Sequence, residues 1–175
     1  AAPGNGILQA TDTFVYDENF KIIRQTFVGG QAASKTNGHA ADATSYRPTC
    51  SEDVFKNHAD AFAEQDVDKI MLDYTEDTVF SGFDHASGAP FEKRGRAEIR
   101  EMFSGFWTSV GEWKGFKSVH EYCTNDPAVR SGFLVWAAPG NGILQATDTF
   151  VYDENFKIIR QTFVGGQAAS KTNGH

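Results

Sequence analysis

Apolar residues recur every three or four positions in three segments between residues 52 and 110, which predicts three helices. The first helix is expected over residues 52–65, where Ser51 and Asp53 can cap its first turn. The second should begin after Asp66, whose side chain can cap it, and should carry on one side Val67, Ile70, Met71 and Tyr74. The third should cover residues 96–110. The third helix carries an apolar stripe formed by Ile99, Met102, Phe103, Phe106 and Val110.

Beyond residue 110 the pattern changes from a helical to an alternating period, which predicts β-strands. Turn sequences rich in Gly, Pro, Asn and Asp separate the strand segments. Helices followed by a run of sequential strands predict an α+β domain, with three helices packed on one face of a curved antiparallel sheet. The strands are expected at residues 113–123, 128–137, 143–153 and 157–164, with two shorter ones at 78–83 and from Phe91.

One segment of the chain occurs twice without a single substitution, since residues 1–39 recur as residues 137–175. Natural repeat arrays consist of several diverged copies at periods of roughly 20–50 residues, so two identical terminal copies indicate a recent or deliberate duplication. We therefore interpret the chain as an engineered protein. Its expected parts are a duplicate of the last β-hairpin at 1–31, a linker at 32–50, the domain at 51–164 and a tail at 165–175.

The duplication allows the same fold to be completed in two ways. The domain can use the C-terminal copy of the hairpin, or it can form in a permuted frame made of residues 1–136. Only one copy can occupy the strand positions at a time. The other copy is then displaced, disordered or docked on a neighbouring molecule, as in a swapped oligomer.

Composition and charge exclude several classes of protein. The chain is 40% hydrophobic and 13% aromatic, which is typical of a globular protein. A formal net charge of −7 argues against a nucleic-acid partner. No apolar run approaches the ~20 residues that span a bilayer, and no leader is visible, so we expect a cytoplasmic protein without a membrane partner. The two cysteines, Cys50 and Cys123, and the histidines lack metal-ligand spacing, so neither a metal nor a cofactor is expected.

Three stretches of the chain resemble the NTF2-like superfamily, in its SnoaL-like and ketosteroid-isomerase-like branch. They are AFAEQDVDKIMLDYTEDTVF (61–80), GRAEIREMFSGFW (95–107) and ATDTFVYDENFKIIRQTF (146–163), and the order of helices and strands is also similar. The resemblance implies a cone-shaped, half-closed sheet with a deep apolar pocket between sheet and helices. It also implies a small hydrophobic ligand and a homodimer.

The resemblance implies site residues one at a time. The isomerases carry an oxyanion-hole aspartic acid in the motif that appears here as TDTFVYDE, which places this acid at Asp148 and, in the duplicate, at Asp12. The oxyanion-hole tyrosine of the first helix falls on His58. A supporting tyrosine matches Tyr74, and another falls on Phe103.

This sequence lacks the general base of the isomerases, because the position of that base falls on Gly82. Asp84 follows two residues later and could reach inward only if the strand end bulges. The sequence therefore does not support steroid isomerisation. What remains are two polar groups, His58 and Asp148, that could face one apolar cavity.

Strand and helix positions leave alternatives open for several residues. Asp148 shares a strand face with aromatic residues and is predicted to be buried; the alternative is a solvated face. His58 is either catalytic or a core histidine, and His120 is either a second pocket base or exposed. Trp107 and Trp136 are either ligand contacts or plain core. The predicted ligand-binding residues are Phe62, Tyr74, Phe80, Phe103, Trp107, Trp136, Phe150, Gln161 and Phe163.

These expectations favour a pocket protein for a hydrophobic carbonyl compound. If it is an enzyme, the expected chemistry is proton transfer beside the carbonyl, as in isomerisation, aldol cyclisation or dehydration. His58 and Asp148 would stabilise the enolate, with His120 or Asp84 as the base. The alternatives are a non-catalytic dimerisation or ligand-binding module, and a protein that exchanges its two hairpins.

Overall fold

A six-stranded sheet covered on one face by helices forms the main unit of the protein. The computed structural model describes residues 46–166 and, for the backbone alone, residues 11–16 and 22–28. The chain divides into two units, residues 1–33 and residues 34–175, and the helices and the six-stranded sheet belong to the second.

The sheet has the strand order β4-β3-β8-β7-β6-β5. Four of its five pairings are antiparallel, whereas β3 and β8 run parallel. This pairing differs from the antiparallel sheet expected from the sequence. It arises because the chain leaves β3 through β4 and a helix, and then returns through the meander β5 to β8. The bounds are β3 Tyr74–Asp84, β4 Ala89–Arg94, β5 Lys117–Thr124, β6 Ser131–Ala138, β7 Ile143–Tyr152 and β8 Ile158–Gly165.

The helical segments are α1 Ser51–Glu64, α2 Val67–Ile70 and α3 Gly95–Val110, and a 3-10 turn, Met71–Asp73, continues α2. Asp66 caps α2 as predicted, because its Oδ1 accepts the backbone N–H of Lys69 at 2.9 Å. The second helix is shorter than predicted, since Tyr74 already begins strand β3. No helix in the described part of the chain is apolar and long enough to cross a membrane.

The start of α1 is fixed by tertiary contacts rather than by a side-chain cap. Ser51, one of the two predicted capping residues, donates its N–H to Asn125 Oδ1 at 2.7 Å and its hydroxyl to the carbonyl of Thr124 at 3.0 Å. The other, Asp53, accepts the N–H of Thr49 at 2.7 Å. These contacts anchor the first turn of α1 to the end of β5.

The two copies of the repeated segment form hairpins with the same register. In the N-terminal copy, β1 (Thr11–Tyr16) pairs antiparallel with β2 (Ile22–Val28), and the residue pairs are those that β7 and β8 form between Thr147 and Val164. The register shift also falls at the same place in both copies. Because β1–β2 is a separate two-stranded sheet, the segment itself sets its pairing.

Aromatic side chains form a cluster between the helices and the inner face of the sheet. Phe62 of α1 lies at the centre of this cluster, with its ring centroid 5.0 Å from Trp113, 5.4 Å from Trp136 and 5.7 Å from Phe106. Such aromatic pairs contribute about 0.5–1.5 kcal/mol each beyond area burial. The cluster therefore ties α1 and α3 to strand β6.

Two glycines of the main unit should respond oppositely to an added methyl group. A Cβ on Gly132 would lie 2.2 Å from Cε2 of Phe55 and 2.6 Å from the hydroxyl of Tyr152, whereas nothing lies within 4 Å of a Cβ on Gly105 in α3. We expect Gly132→Ala to lower the free energy of unfolding by about 1–3 kcal/mol through overpacking. Gly105→Ala should raise it by up to about 1 kcal/mol through helix propensity. Urea denaturation measures both, and a shift in the same direction for the two variants would contradict this packing.

Candidate functional site

A cavity of about 340 Å³ lies between the inner face of the sheet and helices α1 and α3. This volume falls within the range of roughly 300–1,000 Å³ that small-molecule sites occupy. Most of its wall is apolar, with many aromatic rings, and only a few polar groups interrupt it. The rings that line it belong to Phe62, Phe80, Phe91, Phe103, Phe106, Phe116, Trp136 and Phe163.

The strand register places two polar side chains among these rings. Asp148 of β7 lies opposite Leu134 on one side and Phe163 on the other. Gln161 of β8 lies opposite Phe80, one position further along the same inward face. Asp148 and Gln161 are therefore diagonal neighbours, and Gln161 Nε2 donates a hydrogen bond to Asp148 Oδ1 at 2.7 Å.

Asp148 is a buried carboxyl, with 5% of its surface exposed. Its second oxygen, Oδ2, accepts a hydrogen bond from Trp136 Nε1 at 2.8 Å. Burial raises the pKa of Asp148, and the hydrogen bonds from Gln161 and Trp136, together with the nearby His58, offset this only in part. The carboxyl is thus shifted towards its neutral form, in which it can donate a proton to an oxygen atom in the cavity.

Tyr74 holds the amide of Gln161 from behind the cavity wall. Its hydroxyl donates to Gln161 Oε1, which leaves the amide NH₂ group directed at Asp148. Burial raises the pKa of Tyr74 well above its ordinary value, so the hydroxyl remains a donor. Tyr74 was predicted to contact the ligand, but it does not line the cavity and acts on the site through Gln161.

His58 faces the cavity from α1 and is hydrogen-bonded to a carboxylate on its other side. Its Nδ1 atom lies 3.3 Å from Oδ2 of Asp73, which has no exposed surface. The other oxygen of Asp73 accepts from the hydroxyl of Tyr46 at 2.8 Å and from Nδ2 of Asn57 at 2.9 Å. A carboxylate partner selects the tautomer with the proton on Nδ1, which leaves Nε2 available to accept a proton from a ligand.

Asp73 is a site residue that the sequence patterns did not predict. It lies 15 positions after His58, beyond the end of α2, and the 3-10 turn brings its carboxylate to the histidine. The available signal was an acid enclosed by Met71, Leu72 and Tyr74, which is an unusual place for a solvated charge. Among the described residues, no three His, Cys, Asp or Glu side chains come together as metal ligands.

His120 does not line the cavity, and of the two alternatives that the sequence left open for it the structure shows the exposed one. Ser118 pairs with Trp136, but His120 pairs with Val135, which makes Val119 an extra residue in β5. Such a bulge turns the following side chains to the opposite face of the strand. His120 therefore lies exposed on the outer face, where its ring centroid is 6.3 Å from that of Phe133.

Two predicted ligand contacts, Trp107 and Phe150, lie behind the wall of the cavity. Trp107 stacks against Phe103 with centroids 5.6 Å apart, and it is Phe103 that faces the cavity. Phe150 packs between Phe55 and His58 at centroid distances of 5.4 and 5.1 Å. Their helix and strand faces point inward as predicted, but neighbouring rings cover them.

Asp84 lies at the rim of the cavity, and its carboxylate is engaged by the turn that follows β3. It accepts the backbone N–H groups of Ala86 at 3.1 Å and Ser87 at 3.0 Å. Partial burial raises the pKa of Asp84, but these hydrogen bonds outweigh it and the pKa lies below its usual value. Such a carboxylate is a weak base, which argues against the catalytic role considered for Asp84.

At Gly82, the position at which the resemblance places the general base of the isomerases, packing leaves no room for a side chain. A Cβ on Gly82 would lie 2.3 Å from the backbone oxygen of Phe163 and 3.0 Å from the ring of Phe91.

The predicted site residues that do line the cavity are His58, Phe62, Phe80, Asp84, Phe103, Trp136, Asp148, Gln161 and Phe163. The side chain of Asp12, the duplicate of Asp148, lies outside the part of the chain that the structure describes.

Asp148 and Asp84 should make the free energy of unfolding depend on pH in opposite directions. Because the folded-state pKa of Asp148 is raised, its contribution is complete below the unfolded pKa of ~3.9 and is lost as pH rises through the folded-state pKa. Replacing both copies of the aspartate by asparagine (D12N/D148N) removes this loss. The free energy of unfolding of the variant should therefore rise relative to that of the wild type as pH rises, by at most about 1.4 kcal/mol per pH unit.

Asp84→Asn is the control of opposite sign. Its folded-state pKa is lowered, so its contribution is present above the unfolded pKa and is lost as pH falls through the folded-state pKa. This variant should be less stable than the wild type near neutral pH and approach it in acid. Urea denaturation from about pH 3 to about pH 8 covers both windows. A difference between D12N/D148N and the wild type that is independent of pH would contradict the burial of an ionisable Asp148.

Comparison with known proteins identifies the fold. No family model and no curated protein matches the sequence. A SnoaL-like protein of unknown function from Burkholderia thailandensis E264 superposes with a TM-score of 0.54 at 14% identity, covering 66% of this chain and 92% of that chain. A protein of unknown function with a cystatin-like fold from Methylobium petroleophilum PM1 gives a TM-score of 0.53 at 15% identity, covering 73% and 86%. The main unit thus has the NTF2-like α+β cone fold of SnoaL-like proteins, with three helices on a six-stranded mixed sheet.

Proposed function

We propose that the cavity binds a small hydrophobic carbonyl compound and that His58 and Asp148 transfer a proton beside its carbonyl group. One observation carries this proposal. A buried carboxyl shifted towards its neutral form and an imidazole oriented by a second carboxylate both line the same aromatic cavity. Two titratable groups whose environments differ in this way are suited to act as acid and base.

The proposal gives each group a separate role. His58, with Nδ1 bonded to Asp73, uses Nε2 to take a proton from the carbon next to the carbonyl. Asp73 stabilises the imidazolium that forms. Asp148 donates a hydrogen bond, or its proton, to the carbonyl oxygen and so stabilises the enolate. Return of the proton to another carbon of the enolate completes an isomerisation. Attack of the enolate carbon on a second carbonyl of the ligand, with the proton passing to the new alkoxide, completes an aldol cyclisation. Loss of a β-hydroxyl group, which leaves as water with the proton that His58 carries, completes a dehydration.

The aromatic wall strengthens both interactions. Apolar rings around His58 and Asp148 exclude water, and hydrogen bonds to a developing charge are stronger at low dielectric. Trp136 and Gln161 hold the carboxyl of Asp148 in place before the ligand binds. Little reorganisation is then needed when charge moves to the carbonyl oxygen.

A second candidate function is a module that binds the same ligands without turnover. The packing of Phe91 and Phe163 over Gly82 favours it, because this packing closes the position from which the isomerases draw their general base. The homodimer implied by the resemblance remains a prediction for either function. A proton-exchange measurement separates the two candidates.

Binding should depend on Asp148 and His58 and not on the exposed histidine. We expect 2-naphthol, a phenol whose oxygen mimics that of an enolate, to quench the fluorescence of Trp136 on binding. D12N/D148N should weaken binding about 10- to 100-fold, the usual effect of losing a hydrogen bond to a charged group. His58→Gln should weaken it as well, while the matched control His120→Gln should not. No binding by the wild type, or equal affinities for the two histidine variants, would contradict the proposal.

Exchange of the α-protons of 2-tetralone in D₂O tests catalysis directly by NMR. The wild type should accelerate exchange, and His58→Gln should abolish the acceleration. Asp73→Asn should shift the pH profile of the rate, because the base loses its partner. Binding of 2-naphthol without any acceleration of exchange would support the non-catalytic module instead.

A further inference from the structure

A lysine side chain enters the same cavity from the edge strand β4. Lys93 lies opposite Phe80 in the β3–β4 ladder, and residues directly opposite each other in an antiparallel pair project to the same face. Phe80 lines the cavity and is 3% exposed, so Lys93 projects to the cavity side as well. Lys93 is half-buried and forms part of the cavity lining.

The ammonium group of Lys93 forms no ion pair with any described residue, unlike the cations around it. Arg94 pairs with Glu92 at 2.6 Å, and Arg100 pairs with Asp68 at 2.7 Å. Two acids line the cavity together with Lys93. Asp84 lies four residues further along β3 than Phe80, about 13 Å away, and Asp148 lies three strands away on β7. A cation against an apolar wall loses hydration, and a ligand anion would compensate for that loss.

The sheet gives the distance between this cation and the proposed catalytic acid. Lys93 is on β4 and Asp148 is on β7, three strand spacings away in the order β4-β3-β8-β7. Three spacings of ~4.8 Å separate the strands by about 14 Å. Lys93 is level with Phe150, two residues from Asp148, so the backbones of Lys93 and Asp148 are about 16 Å apart. A ligand that reaches both side chains is therefore an elongated molecule about two or three rings long, with polar groups at its two ends.

We propose that Lys93 binds a carboxylate at one end of the ligand while its carbonyl group meets His58 and Asp148 at the other. The ligand class is then an elongated, hydrophobic carbonyl compound with a terminal carboxylate. This inference rests on the proposed function of the cavity. It adds the charge of the ligand and its orientation.

A pair of probes that differ by one carboxylate tests this assignment. The wild type should bind 6-hydroxy-2-naphthoate about 5- to 10-fold more tightly than 2-naphthol at low salt, and added salt should reduce the preference. Lys93→Gln should remove the preference, so that the variant binds the two probes with similar affinity. The control Lys117→Gln, at an exposed lysine of β5, should retain it.

The outcomes separate the two proposals. If 2-naphthol binds but the carboxylate gives no gain, or if the gain survives in Lys93→Gln, the role of Lys93 is overturned and the proposed function stands. If neither probe binds, the proposed function fails and the ligand class fails with it.

The repeated segment carries a second, independent inference. β1–β2 and β7–β8 have identical sequences, the same residue pairs and the same register shift. Every contact that β7–β8 makes with β6 and β3 is therefore available, residue for residue, to β1–β2. We infer that β1–β2 can replace β7–β8 in the main sheet of the same chain.

Chain length permits this exchange. The connection from Val28 to the start of α1 runs from residue 29 to residue 50, which extends to roughly 70 Å at most. A domain of this size has a radius of gyration of only about 14 Å. Because the contacts of the two hairpins are identical, the two arrangements differ only in connections and chain ends. A small free-energy difference keeps both within reach of each other.

Proline in one copy at a time tests the exchange in the full chain. Phe150 lies in the middle of the central strand β7, where proline removes a ladder hydrogen bond and the core ring, and Phe14 is its duplicate. We expect Phe150→Pro and Phe14→Pro each to keep a cooperative thermal transition in the oligomeric state of the wild type. The double variant should have none. Loss of the transition in Phe150→Pro alone, or its recovery only in an assembly larger than that of the wild type in light scattering, would overturn exchange within one chain.

Alanine variants test the same exchange without the backbone effect of proline. Phe150→Ala alone should lower the urea midpoint far less than Phe14→Ala with Phe150→Ala, because only the double variant lacks an intact copy. Equal midpoints for the single and double variants would overturn the inference.

Discussion

A carboxyl group enclosed by aromatic rings is the constraint on which the arrangement of the site depends. Asp148 is tolerated there because Trp136 and Gln161 each donate to one of its oxygens, and Tyr74 in turn holds Gln161. These four side chains come from β7, β6, β8 and β3, which are adjacent in the sheet. The network thus fixes the register of four strands and positions an acid in the cavity with the same hydrogen bonds.

The second carboxylate of the site is stabilised in another way. Asp73 lies outside the cavity lining and receives donors from Tyr46 and Asn57 in addition to His58. It is fully buried but well hydrogen-bonded, so it can orient the imidazole. Asp148 has fewer donors and a raised pKa. The two carboxyls of this core therefore differ in the number and kind of their hydrogen-bond donors.

The duplicated segment contributes to this site in an unusual way. The hairpin that delivers Asp148, Gln161 and Phe163 to the cavity is the part of the chain that is present twice. Its first copy forms the same ladder as a separate two-stranded sheet. Strand pairing within the hairpin is thus encoded locally, whereas the contacts that bury its inward face come from β3, β6 and the helices.

The sequence by itself determined the features that depend on local periodicity. The resemblance of three stretches to the NTF2-like superfamily led to the predicted ligand contacts. The apolar stripe of the third helix and the alternation of β7 were sufficient to predict an α+β fold. These features follow from the side-chain directions of regular helices and strands. The tertiary structure alone decided the rest. One extra residue, Val119, turned His120 outward, a short 3-10 turn brought Asp73 to His58, and pairing with Phe80 directed Lys93 to the cavity. Bulges, turns and cross-strand neighbours depend on the partner that a segment meets when the chain folds, and a local pattern contains no information about that partner.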